Sequence, residues 1–198
     1  MLAAVILAAG ESRRMGFPKA LLPYGDRTFL EHLLGVVEHP RIGLRRVVVG
    51  AGGAEIARRI PLGPSVLVEN REWRKGQLSS IRAALESIRR AETEGMLLAL
   101  VDHPLVTAAV VGALIAAFDR SPQSIVIPTW GGRRGHPVIF PRHLYAELES
   151  APDDAGARAV VRAHPQEVVE VATDEEGVVL DIDDRALFQR LFPSTPID

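Results

Sequence analysis

The sequence predicts an α/β fold: a three-layer Rossmann-like sandwich on a mostly parallel sheet. Short apolar runs of strand length alternate with segments of helical apolar spacing along the whole chain. Strands alternating with helices imply parallel pairing with helices on both faces. The balance of 47% hydrophobic and 24% charged residues over 198 positions is that of a chain able to bury a sizeable core. No repeat, low-complexity segment or linker interrupts the pattern, so one domain over residues 1–198 is expected.

Each element has its own signal. Ala3 to Ala9 is continuously apolar, as in a strand covered on both faces. Thr28 to Glu38 carries Phe29, Leu30, Leu33, Leu34 and Val37 at helical spacing. Arg46 to Gly50 reads as a strand, Ala54 to Arg59 as a short helix and Ser65 to Val68 as a strand. Leu78 to Ala91 places Leu78, Ile81, Leu85 and Ile88 on one helical face. Met96 to Val101 is a second buried strand, and Thr107 is placed to cap a helix running to Phe118. Ser124 to Ile127 and Pro137 to Phe140 read as strands. Ala155 to Ala163 reads as a helix, Glu167 to Val171 as a strand and Ala186 to Leu191 as a helix.

Composition excludes several classes. Without cysteine there is no disulfide or thiolate chemistry. A net charge of -2 supplies no basic field for nucleic acid. The uncharged stretch Leu105 to Phe118 falls short of the roughly 20 residues that span a bilayer. The N-terminal apolar run has the look of a short signal core, but no positive segment precedes it. A soluble, uncleaved, cytoplasmic protein is therefore expected, with neither membrane nor nucleic acid as partner.

In an open parallel sheet, ligands bind beyond the carboxyl ends of the strands. The loop opening at Gly10 belongs there. Small Ala8, Ala9 and Gly10 let a flat ligand approach the backbone, and Arg13, Arg14 and Lys19 bring phosphate-binding charge to the same edge. The loop is neither a Walker P-loop nor a dinucleotide G-x-G-x-x-G. Its bland reading is a solvated basic turn; its position after the first buried strand favours a nucleotide. In "LLALVDHPLV" a buried strand ends in Asp102, where a carboxylate could hold a divalent cation beside phosphates or merely cap a turn before Pro104. "VVLDIDDRALF" offers Asp181 and Asp183, which would share a face of an extended strand; helix capping by Asp183 or Asp184 is the alternative.

Five segments in order carry a family resemblance. "LAAGESRRMGFPKALLP" resembles the L-A-A-G-x-S-x-R-M-G-x-x-K signature of the nucleotidyltransferases of molybdenum cofactor maturation (the MobA-like group). "NREWRKGQLSSIRAAL" is similar to their N-x-x-W-x-x-G-x-x-x-S segment. "VDHP" stands where D-Q-P is usual, "GGRRGHPVIF" matches G-x-x-G-H-P-V, and "DIDDRALF" approximates D-I-D-T-P-E-D. The nearest branch is the molybdenum cofactor cytidylyltransferases.

The resemblance implies a nucleotide-diphospho-sugar transferase type of sandwich and CMP transfer from CTP to molybdopterin, with recipient molybdoenzymes as further partners. It implies that Leu7, Ala8, Ala9 and Gly10 face the nucleotide, that Arg14 and Lys19 bind its phosphates, and that Asn70, Gly76 and Ser80 lie near base and ribose. Asp102 and Asp183, with Asp181 less directly placed, would hold Mg²⁺, or Mn²⁺ in its place. His136 would face the acceptor, with a structural strand residue as the alternative, and His103 would either touch the acceptor or serve as a satisfied partner at a turn. Trp73 either stacks on a base or packs at the mouth of the site. His103 departs from the family's glutamine, and Asp184-Arg185 from its Thr-Pro. Guanine-using relatives usually read L-A-G-G, so the methyl of Ala9 favours a pyrimidine. A GTP-dependent relative and a nucleotide-binding chaperone without turnover are the competing readings.

Overall fold

The structure is a computed structural model that describes residues 1–153 and 155–195. Its centre is an eight-stranded sheet. The first strand, β1 (Leu2–Ala8), lies in the middle. A small antiparallel hairpin of β2 (Pro23–Tyr24) and β3 (Arg27–Thr28) leads into α1 (Phe29–Val36). Then follow β4 (Ile42–Val49), α2 (Gly53–Arg59), β5 (Leu67–Glu69), α3 (Gln77–Ile88), β6 (Gly95–Leu100) and α4 (Ala108–Arg120). The last third holds β7 (Ile125–Trp130), β8 (Arg133–Arg134), β9 (Val138–Pro141), α5 (Tyr145–Ser150), α6 (Ala157–Ala163), β10 (Val168–Ala172) and α7 (Arg185–Leu191).

The strand order is β10-β7-β9-β6-β1-β4-β5, with β8 turned back on β7. β1 pairs in parallel with both β4 and β6, and β10 with β7. β9 runs antiparallel to β6 and β7. From β1 the chain builds outward to β4 and β5, then crosses to β6 on the other side. Such a reversal opens a crevice at the carboxyl ends of the strands on either side.

The apolar runs are explained by cover on both faces. Leu2, Ala4, Ile6 and Ala8 of β1 join one core cluster with α1 and α4, while Ala3, Val5, Leu7 and Ala9 join the other with α3 and α5. Period two is present in space but invisible in a run apolar at every position. Capping sets the helix starts. The Thr28 hydroxyl accepts from the Glu31 amide, and Glu31 returns a bond to the Thr28 amide, a closed capping box. Thr107 accepts from the Val110 amide at 3.3 Å, and Asp184 from the Leu187 amide at 2.8 Å.

Several boundaries depart from the sequence reading. β4 begins at Ile42 rather than Arg46, because β5 covers only Val47–Val49 and the first half is an edge with Gly43 and Arg45 exposed. The hairpins and α5 carry too few residues for periodicity to reveal them. Asp181 to Asp183 is not a strand; it runs without regular pairing, and the Ile182 amide donates to the Asp102 carbonyl at 2.7 Å. Among the described residues, no helix is long and apolar enough to cross a membrane.

Candidate active site

Beyond the carboxyl ends of β1 and β6 lies a cleft of about 670 Å³. Leu7, Ala8, Ala9 and Gly10 form one wall, and Trp73, Gly76, Gln77 and Ser80 another; Arg14, Lys19, Asp102 and Asp183 line it as well. Four of the five segments singled out from sequence therefore converge here.

Each wall has a local cause. After Gly10 the chain folds on itself at Ser12, a non-glycine residue with φ +53°. The Ser12 carbonyl accepts from the Met15 and Gly16 amides at 3.0 and 2.9 Å, and its hydroxyl accepts from the Lys19 amide at 3.2 Å. A non-glycine residue in the left-handed region costs energy, which these three bonds oppose. Met15 is fully buried and anchors the loop. Arg185, at the start of α7, donates from Nε to the Met15 carbonyl at 2.8 Å and closes it from above.

Lys19 is the centre of the charge arrangement. Its side chain is 13% exposed, and its Nζ donates to Asp102 Oδ2 at 3.0 Å and to Asp183 Oδ1. Arg14 approaches Asp183 Oδ2 at 2.5 Å from the solvent side. Burial works against the lysine charge, but the Asp102 and Asp183 carboxylates together outweigh it and raise the Lys19 pKa above its ordinary value. Burial likewise favours neutral Asp183, yet Lys19 and Arg14 prevail and hold its pKa below the usual carboxylate value. The three consecutive residues Asp183, Asp184 and Arg185 thus have three tasks: one meets Lys19, one caps α7 and one clamps the loop.

Asn70 departs from its expected place at the nucleotide. It is 4% exposed and does not line the cleft. Its amide donates to Ser79 and Ser80 at 2.8 and 2.9 Å, and its carbonyl oxygen accepts from the Glu72 amide at 2.9 Å. It ties the end of β5 to the start of α3 and so acts on the cleft through Ser80. Gly76 does line the cleft and precedes α3 with φ +99°, a backbone that side chains rarely adopt. Trp73 packs against Gly50, where an added Cβ would lie 2.6 Å from its own Cβ, and the Arg74 guanidinium stacks 4.3 Å from its ring centroid. Trp73 packs at the mouth of the cleft, which it also lines.

A second cleft of about 740 Å³ adjoins the first, with Gln77, Leu100 and Asp102 common to both. His103, His136, Arg133, Arg158 and Asp181 line it. Asp181 and Asp183 thus face different clefts, which corrects the expectation that they share a face. The two imidazoles lie 5.2 Å apart between centroids, and each has a buried Nδ1 without a hydrogen-bond partner among the described residues. Burial, with His103 beside it, holds the His136 pKa down at about 4, so its ring is neutral near pH 7. Gly135 precedes it because a Cβ there would fall 2.2 Å from the Val178 carbonyl oxygen.

The donor set fits a divalent cation. Asp102 and Asp183 direct oxygens at one cationic point, and Mg²⁺ commonly takes one or two carboxylates with substrate phosphates completing its shell. Among the described residues there is no group of three or more His, Asp or Glu with metal-binding geometry, so the protein alone offers an incomplete shell.

Residues 4–168 match the MobA-like NTP transferase domain. The chain belongs to that family. A curated relative from Paenarthrobacter nicotinovorans, named nicotine blue oxidoreductase, is 32% identical over 90% of both chains. A probable molybdenum cofactor guanylyltransferase of Mycobacterium ulcerans is 35% identical over 79% of this chain and 76% of its own, and the Escherichia coli molybdenum cofactor cytidylyltransferase is 24% identical over 90% and 89%. The crystal structure of Rv0371c from Mycobacterium tuberculosis in complex with manganese superposes with a TM-score of 0.75 and 30% identity, covering 98% of both chains. A CMP:2-keto-3-deoxy-manno-octonic acid synthetase structure gives a TM-score of 0.69 at 13% identity over 96% of both chains. The fold is the nucleotide-diphospho-sugar transferase type.

Proposed function

We propose that this chain transfers CMP from CTP to the terminal phosphate of molybdopterin, forming molybdopterin cytosine dinucleotide and pyrophosphate. The observation that carries the reading is the convergence of Arg14, Lys19, Asp102 and Asp183 at the mouth of a cleft walled by backbone and small side chains.

The chemistry is one in-line displacement. An acceptor phosphate oxygen forms a bond to the CTP α-phosphorus as the bond to the bridging α–β oxygen breaks. The electron pair leaves with pyrophosphate. An acceptor phosphate is ionised near neutral pH, so no general base is required. Catalysis then rests on positioning and on neutralising charge. Leu7 to Gly10 and Ser80 hold the nucleoside, and Arg14 and Lys19 meet the phosphates. A divalent ion held by Asp102 and Asp183 would neutralise phosphate charge when bound. Asp102 lies where both clefts meet, the place for the bond exchange; the second cleft, with His103 and His136, takes the acceptor.

CTP is favoured over GTP because Ala9, which lines the cleft with Gln77 and Ser80, stands where guanine-using relatives usually carry glycine. The guanylyltransferase relative is the reason to keep GTP as the second reading. The decisive experiment measures pyrophosphate release with each nucleoside triphosphate, with and without molybdopterin. Release with CTP that depends on molybdopterin is expected. GTP used equally or better removes the base assignment. Binding without release makes the chain a carrier, and oxidoreductase turnover would align it with its oxidoreductase-named relative.

A further inference from the structure

Lys19 occupies the position between Asp102 and Asp183 that a cation would take. Its backbone is fixed there: the Lys19 amide donates to Ser12 Oγ, and Lys19–Leu21 forms one turn of 3-10 helix on the buried Ala20 and Leu21. Only the four-carbon stem can swing. With Arg14 beside it, two positive charges face two negative ones, and the cluster is neutral without any ion. Among the described residues, Glu11 is the remaining carboxylate that lines this cleft, and it pairs with Arg13 at 2.6 Å. A displaced ammonium therefore finds no unpaired carboxylate among them. A triphosphate would supply one anionic group to receive the ammonium and further oxygens to complete a metal shell.

We propose that Lys19 is an interlock that makes divalent-cation binding conditional on a bound triphosphate. In the empty site the ammonium holds the cation position. A polyphosphate draws it away, and the vacated carboxylate pair then accepts the metal. Two species that share one position exclude each other, and the linkage is reciprocal: the metal would strengthen triphosphate binding by the factor by which triphosphate strengthens metal binding. The inference rests on the nucleotidyltransferase reading for its metal, but it concerns the order of occupancy rather than the transfer.

The test is a titration with Mn²⁺ alone, free ion being read by electron paramagnetic resonance. Wild type, Lys19→Met, Lys19→Gln and Arg74→Met are compared, with melting curves confirming that each is folded. Lys19→Gln keeps a hydrogen-bond donor over the carboxylates if Lys19→Met proves unstable. Both Lys19 variants should bind Mn²⁺ without nucleotide about tenfold tighter than wild type, within the range usual for coupled sites. Arg74, whose guanidinium lies over the Trp73 ring, lines the same cleft, so Arg74→Met removes the same charge without vacating the position and should stay near wild type. Equal Mn²⁺ affinity in wild type and both Lys19 variants would overturn the interlock while leaving the metal site standing. An equal gain in Arg74→Met would also overturn it, since the effect would then be bulk charge. If no form binds Mn²⁺ even with a non-hydrolysable CTP analogue, the metal reading itself fails and the interlock with it.

Discussion

Lys19 and Arg14 look alike in the sequence, as two basic residues of one loop, yet they sit in different surroundings. Arg14 has a side chain 71% exposed, whereas that of Lys19 is 13% exposed between two carboxylates. Arg14→Ala should therefore leave stability within about 0.5 kcal/mol of wild type. Lys19→Ala leaves the partly buried Asp102 without its counter-ion and Asp183 with Arg14 alone, and should cost about 1–2 kcal/mol, reduced from the fully buried case by access to water. For a chain of this size that lowers Tm by roughly 2–8 °C. Both variants should lose at least about a hundredfold in pyrophosphate release, the scale of one lost charge-stabilising contact. Asp102→Ala should lose turnover while CTP binding, followed by calorimetry, falls far less, because base and ribose are held by other segments. Normal Mg²⁺-dependent rates in Asp102→Ala would contradict its assignment.

At the scale of elements, the start of α3 is the joint on which the cleft depends. Asn70→Ala removes two donated bonds and one accepted bond from a buried position. It should lower stability by about 2–3 kcal/mol, read by denaturant unfolding, and raise KM for the nucleotide by loosening Ser80. Gly135→Ala should destabilise by about 1–3 kcal/mol or more, since its Cβ would collide with the Val178 backbone. Much of this architecture was legible beforehand. The buried strands, the long helices and the caps at Thr107 and Asp184 follow from local chemistry that the sequence carries directly. The loop, Asp102 and Asp183 were found because each follows or borders an apolar run. Asn70 was misplaced because a buried amide bonding to serines reads, in sequence, like an amide bonding to a ligand. Arg185 was missed because its partner is a carbonyl 170 positions away. The separation of Asp181 from Asp183 depends on Ile182 bonding to the Asp102 carbonyl, a tertiary contact without a local signal.

Across the whole molecule, the edge opposite the cleft is closed by charge. Glu94, before β6, pairs with Arg41 at 2.8 Å and with the Met1 amino group, and Arg41 also reaches Asp119 of α4 at 2.7 Å. Hydrogen bonds from Arg41 first, and from the Met1 amino group next, pull the Glu94 pKa down to about 2. A carboxylate with a depressed folded-state pKa contributes stability above its ordinary value near 4.5, and that contribution fades as pH falls toward about 2. Glu94 is half exposed, so the contribution is small. Glu94→Gln should be less stable than wild type at pH 6 by chemical denaturation, and the gap should close by about pH 2. A constant gap across that range would mean that the ion pairs contribute nothing.

The reversed strand β9 has a consequence for how such a protein could change over time. Because β9 runs against its neighbours, its beginning, at His136 and Pro137, arrives at the same rim as the ends of β1 and β6. The rim is thereby divided between two authors. On the proposed reading, the loop after β1 and the stretch through β5 and α3 write the nucleotide half, while the turn from β7 through β8 into β9 writes much of the other. Drift in the second stretch could recruit a new acceptor without rewriting the first, so the two halves are free to evolve at different rates. A chimera carrying residues 131–136 of a relative should keep the nucleotide preference of this chain while its choice of acceptor follows the graft.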